Sequence, residues 1–117
     1  MPADATAVAV TVTVTEASRA GFVTAWAAGT TQPWASTVNA DGPGQTRAAG
    51  AVVPVSDSGI TLFASASTHV VVDLAGYFTG ESADEDTAGF FQPIVPERVL
   101  DTRESTRLAP GTSRDIA

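Results

Sequence analysis

Cysteine is absent from the 117 residues, which excludes disulfides, thiolate zinc sites and cysteine nucleophiles and leaves the redox compartment open. Lysine is absent too: the six basic residues are all arginines, set against 13 acids for a net charge of −7. So acidic a chain, with no basic stripe, repels phosphate backbones and anionic lipid surfaces, which argues against nucleic-acid binding. No run of about 18 apolar residues occurs, so membrane insertion through a helix is not expected. The opening "MPADATAVAV" lacks the basic end and cleavage region of a secretory signal. Histidine occurs once and aromatics make up only 7% of a chain that is 44% apolar, mostly Ala and Val. A core made of such residues rests on many small contacts rather than on a few large anchors, and the length suits one domain.

What is present is extended-strand patterning. In "TAVAVTVTVTE" valines fall at Val8, Val10, Val12 and Val14 with Ala or Thr between them. That strict period of two predicts a strand with one valine face and one threonine face, Thr11, Thr13 and Thr15. "GFVTAWA" continues as a second strand, with Phe22, Thr24 and Trp26 on one face. Turn residues in "AGTTQP" and "DGPGQ" bracket a further alternating stretch, "WASTVNA". "TRAAGAVVPV" is extended, with Pro54 marking a strand end or an edge. "ITLFASA" alternates, and the apolar "THVVVDLAGYF" suits a central strand covered on both faces.

Residues 1–78 are thus expected to form the main body, and residues 79–89, "TGESADEDTAG", an acidic loop or linker. Residues 90–117 supply late strands, packed on the same body or on a neighbouring copy. There Pro93 and Pro96 suggest an irregular approach before a short strand from about Arg98, and "TSRDIA" is a possible last strand. Seven or eight short strands with turns between them predict an all-β, single-domain antiparallel sandwich, jelly-roll-like in its path.

Three stretches, "PADATAVAVTVTVTEASRAGFVTAW", "THVVVDLAGYF" and "FQPIVPERVLDTR", together resemble a repeated β-module of secreted and cell-surface proteins from actinobacteria. The resemblance spans nearly the whole chain, and the GYF and LDTR stretches are its most specific parts. It implies an extracellular or cell-surface location and a non-catalytic role, and it names no ligand. Some members carry a cysteine pair near the positions of Ala28 and Thr61, which are not cysteine here. In tandem copies the LDTR stretch opens a unit. Here it comes last, so the chain is either a permuted single unit or one unit's body with the next unit's opening strand.

The residues offer little catalytic chemistry. His69 has Asp73 as its nearest carboxylate, but four residues along a strand separate their Cα atoms by about 13 Å, too far for a dyad. "LDT" matches part of an aspartic-protease turn, with Arg103 in place of glycine and no second copy. Asp84 and Asp86 with Glu81 and Glu85 offer hard oxygen ligands, so weak calcium binding is a subordinate expectation, without the D-x-D-x-D-G arrangement of a dedicated loop. No other cofactor or metal is expected.

Two constellations remain. In "VPERVLDTR" an extended backbone puts Val99, Asp101 and Arg103 on one face, where Asp101 can accept amide bonds or meet an arginine. Arg98 or Arg103 can fork onto Asp73, giving a structural clasp that fixes strand register. Separately, Trp34, Trp26 and Tyr77 are candidates for stacking on a sugar, with Trp34 the most exposed by its place at a loop-to-strand junction and the other two suited to the core. The expected function is a structural spacer, adhesion or assembly module, with carbohydrate binding as the alternative. Partners are then a glycan, a neighbouring module, or a second copy joined by strand addition.

Overall fold

The structure, a computed structural model, describes residues 5–79 and 91–116. Eight strands follow in order: β1 (Ala7–Thr15), β2 (Gly21–Ala27), β3 (Val38–Ala40), β4 (Arg47–Pro54), β5 (Ile60–Ala64), β6 (His69–Phe78), β7 (Phe91–Asp101) and β8 (Thr112–Ile116). They form two antiparallel four-stranded sheets, ordered β4-β1-β6-β7 and β3-β2-β5-β8. Among the described residues only β2–β3 and β6–β7 follow one another within a sheet, and every other connection crosses the sandwich. The all-β sandwich expected from the strand pattern is the observed fold.

The period-two valines explain how the sheets meet. Val8, Val10, Val12 and Val14 are buried and join Val70, Val72 and Leu74 of β6 on one inner face. Val23, Ile60, Leu62 and Ala64 form the opposing inner face, with Leu62 wholly enclosed. Burying each Val, Leu or Ile side chain of this set contributes about 1.5–3 kcal/mol, and truncating Leu62 to Ala costs about 2–5 kcal/mol. None of the described aromatic residues is fully buried. The aromatic rings therefore lie on or near the outside of a core made of small residues.

Three expectations about individual strands change. "WASTVNA" yields only the three residues of β3, because residues 35–37 bond to β2 in a different way, described below. β7 does not start near Arg98 but runs eleven residues from Phe91. Its prolines fit because β7 is an edge strand, where a missing N–H leaves no ladder bond unmade. Its pairing with β6 slips twice, between Val72 and Asp73 and between Leu74 and Gly76. Finally, Arg103 lies beyond the strand, in a 3-10 turn, Thr102–Glu104, so it shares no strand face with Asp101.

The late strands pair within the chain, β7 with β6 and β8 with β5. Gly76 of the GYF stretch matters for the first pairing: a Cβ there would stand 2.6 Å from Phe91 Cε1 and 2.7 Å from Gln92 O. Phe91 also meets Phe78, ring centroids 5.3 Å apart. Of the acidic segment only Thr79 is described, so Glu81, Asp84, Glu85 and Asp86, and the weak calcium site expected on them, lie outside the described residues.

Candidate functional site: a charged clasp and an aromatic groove

The charged segment sits on the outer side of the first sheet, where β7 ends. Asp73 and Arg98 are direct cross-strand partners, and the guanidinium forks onto the carboxylate, Nε to Oδ1 at 2.8 Å and Nη2 to Oδ2 at 3.3 Å. Arg98 also reaches Asp101 Oδ2 at 3.7 Å. Asp101 caps the 3-10 turn: its Oδ1 accepts the Arg103 backbone N–H at 3.0 Å and Nε at 2.9 Å, while Oδ2 accepts Nη2 at 2.8 Å. Two carboxylates and two guanidiniums thus run in an alternating chain, Asp73–Arg98–Asp101–Arg103.

The electrostatics follow from that order. The Arg103 guanidinium, bonded to the Asp101 carboxylate, holds it down to about 2. Partial burial pushes the other way, and the Arg103 amide and the charge of Arg98 add to the lowering. Arg98 and Arg103 are both raised, chiefly by hydrogen bonds to Asp73 and Asp101 respectively. The Asp101 side chain is only 9% exposed, whereas both guanidiniums are about half exposed. Solvent screens such exposed charges, so the network acts mainly by fixing geometry.

Between the charged residues lies the anchor. Leu100 packs against the core, and Thr102 is wholly buried. Thr102 Oγ1 accepts the Val70 N–H at 2.8 Å and lies 3.0 Å from His69 Nδ1, with donor and acceptor set by the imidazole tautomer. His69 therefore meets a threonine and Asp73 meets an arginine. The two residues do not pair with each other. Arg107, which sequence reasoning did not single out, ties the same end together: Nε donates to Ser67 Oγ at 2.8 Å, and Nη2 donates to the Glu16 carbonyl and, at 3.3 Å, to Ser67 O. Glu16 has φ +56°, the left-handed region that a glutamate rarely occupies, so the guanidinium supports a strained corner. Leu108 then bridges to Thr68 by two backbone bonds of 2.9 and 3.2 Å.

The second region lies on the outer face of the other sheet. Phe22 of β2 and Phe63 of β5 project outward with ring centroids 6.0 Å apart at 42°. Residues 35–37 are folded over β2: Thr24 Oγ1 donates to Ala35 O at 2.8 Å, Thr37 N to Val23 O at 2.8 Å, and Ala25 N to Thr37 Oγ1 at 3.0 Å. These bonds take the places a longer β3 would have used, and they raise residues 32–36 as a wall. Between wall and sheet runs a groove of about 600 Å³ lined by Phe22, Phe63, Trp34, Gln32, Ser36 and Asn39, with Pro33 and Ala35. Trp34 is 105% exposed and covers nothing. Among the described residues, no charged side chain lines this groove.

The three aromatic candidates therefore separate. Trp34 is at the groove. Trp26 lies on the same face but not in the groove lining, half-buried, its indole N–H donating to Thr30 O at 3.0 Å so that it supports the loop. Tyr77 is half-buried against the core on the other sheet, opposite Val8 and Gln92. Phe22 and Phe63 had no signal of their own. They become neighbours only through the β2–β5 register, which pairs Thr24 with Phe63.

No group of three or more acidic, histidine or cysteine side chains converges on a metal-sized site among the described residues. Comparison with known proteins finds no match, whether to family models, curated proteins or solved structures.

Proposed function

We propose that the chain is a non-catalytic β-sandwich module of a secreted or cell-surface protein, serving as a spacer, adhesion or assembly unit. The observation that carries this reading is the saturation of "VPERVLDTR". Asp101 has both oxygens engaged by Arg103, Arg98 is held by Asp73, and Thr102 is bonded to Val70 and His69. Residues spent in this way stabilise a strand end rather than meeting a substrate. The actinobacterial resemblance supports the location, and an antibody raised against the chain tests it on the culture medium and on intact and lysed source cells: a signal only after lysis contradicts a secreted or surface role.

Carbohydrate binding is the second reading, and the aromatic groove favours it. An exposed indole can stack on the apolar face of a sugar ring, and the Gln32 and Asn39 amides and the Ser36 hydroxyl supply donors and acceptors for ring hydroxyls. With no cation among the described lining residues and a net charge of −7, the fitting ligand is a neutral glycan rather than an anionic one. A glycan array followed by Trp34→Ala tests this reading. Binding of neutral glycans that the substitution abolishes supports it, and silence across the array removes it.

A further inference from the structure

Among the described residues, the four strands at the edges of the two sheets are not alike. β3 offers three residues, too few for a ladder. β8 is five residues long and carries Arg114 and Asp115. β7 is long, but Pro93 and Pro96, two slips of register and the charged pair Glu97 and Arg98 interrupt it. Short length, proline, bulges and charge are the devices that keep sheet edges from pairing with other chains. β4 has almost none of them. It runs eight residues in unbroken register with β1, from Ala7↔Pro54 to Val14↔Arg47. Its only proline is the last residue and its only charge the first, and Arg47 is already paired with Asp41 at 2.6 Å. Its outward row, Ala48, Gly50 and Val52, is exposed and contains nothing larger than valine.

Charge points to the partner. On a chain of net charge −7, residues 42–56 contain no carboxylate, so two copies can approach along β4 without opposing acids. Antiparallel pairing of a strand with its own copy is an isologous, twofold contact. With the axis at Gly50, each Ala48 meets the Val52 of the other copy and the two glycines face each other, so no side chain blocks the approach. We propose that β4 pairs antiparallel with β4 of a second copy of this chain, joining two four-stranded sheets into one of eight. Backbone bonds supply the contact and small side chains add little, so the association is weak and concentration-dependent, and it strengthens where copies are tethered. This deepens the assembly role proposed above. Its failure is distinguishable from failure of that reading, because a strictly monomeric chain can still be a spacer or bind a glycan.

Sedimentation velocity from micromolar to millimolar concentration gives the first test, with far-UV circular dichroism to confirm that each variant is folded. The expected result is a reversible monomer–dimer equilibrium, weakened about tenfold or more by Val52→Lys and likewise by Ala48→Lys, each of which places a charge on the edge. The second test uses the absence of cysteine, which makes any disulfide in a single-cysteine variant intermolecular. At Gly50 a Cβ meets nothing within 4 Å, so Gly50→Cys is tolerated. Mild oxidation is expected to link Gly50→Cys copies much faster than Ser113→Cys copies on β8. A monomer at every concentration, a dimer indifferent to both lysine substitutions, or equal cross-linking at the two edges overturns the proposal.

Discussion

The charged end of β7 and the aromatic face of β2 lie on opposite sheets of one small sandwich, and they reverse the impression each makes in the sequence. "VPERVLDTR" concentrates acids, arginines and a threonine in nine residues, yet its central groups are bonded within the fold. The groove is assembled from residues as far apart as Phe22 and Phe63, and its most prominent member, Trp34, makes no structural contribution that its exposure would register. A dense polar motif is therefore no guide to an open site. The better guide is an exposed group that the fold does not use.

That contrast can be broken in several ways, starting with the largest expected effect. Thr102→Val keeps the volume but leaves the buried Val70 N–H without its acceptor, so a loss of about 1–3 kcal/mol is expected in denaturant unfolding. Unchanged stability would mean that Thr102 is not the anchor. Arg107→Ala removes three bonds, one of them to the carbonyl of the strained Glu16, for an expected loss of about 1–2 kcal/mol. Arg107→Lys should recover only part of it, because one ammonium nitrogen cannot reproduce the separate Nε and Nη2 positions from which Arg107 donates. Trp34→Ala is expected to change stability by less than about 0.5 kcal/mol while abolishing any binding of neutral glycan. A large loss of stability there would make Trp34 structural and remove the contrast.

How much of this was legible in the sequence depended on the range of the interaction. The valine alternation from Val8 to Val14 gave β1 and its inner face, because side-chain direction in a strand is a local property. The shared outward face of Phe22, Thr24 and Trp26 was legible for the same reason. Pro93 and Pro96 look like breaks until the strand is known to lie at an edge, so the sequence alone places the start of β7 near Arg98 and not at Phe91. The Asp73–Arg98 pairing is one of several the sequence allows, but the 3-10 turn that carries Arg103 back onto Asp101 has no signal in it, since alternation does not mark where the strand ends. Arg107 reaches Ser67 and Glu16, and Phe22 meets Phe63, only through cross-strand register. Nothing local to those residues encodes it.

The most direct test is equilibrium unfolding of the wild-type chain, Asp101→Asn and Trp34→Ala, compared from neutral pH into acid. Asp101 is held at about 2, below the ordinary 3.8, so its ionised form stabilises the fold fully above the higher value, and the contribution is lost as pH falls through the lower. Asp101→Asn is expected to unfold more easily than wild type at neutral pH. That gap should close as the pH approaches about 2, while Trp34→Ala follows the wild type throughout. An Asp101→Asn chain as stable as wild type at neutral pH, beside a Trp34→Ala chain that is destabilised, would contradict this expectation.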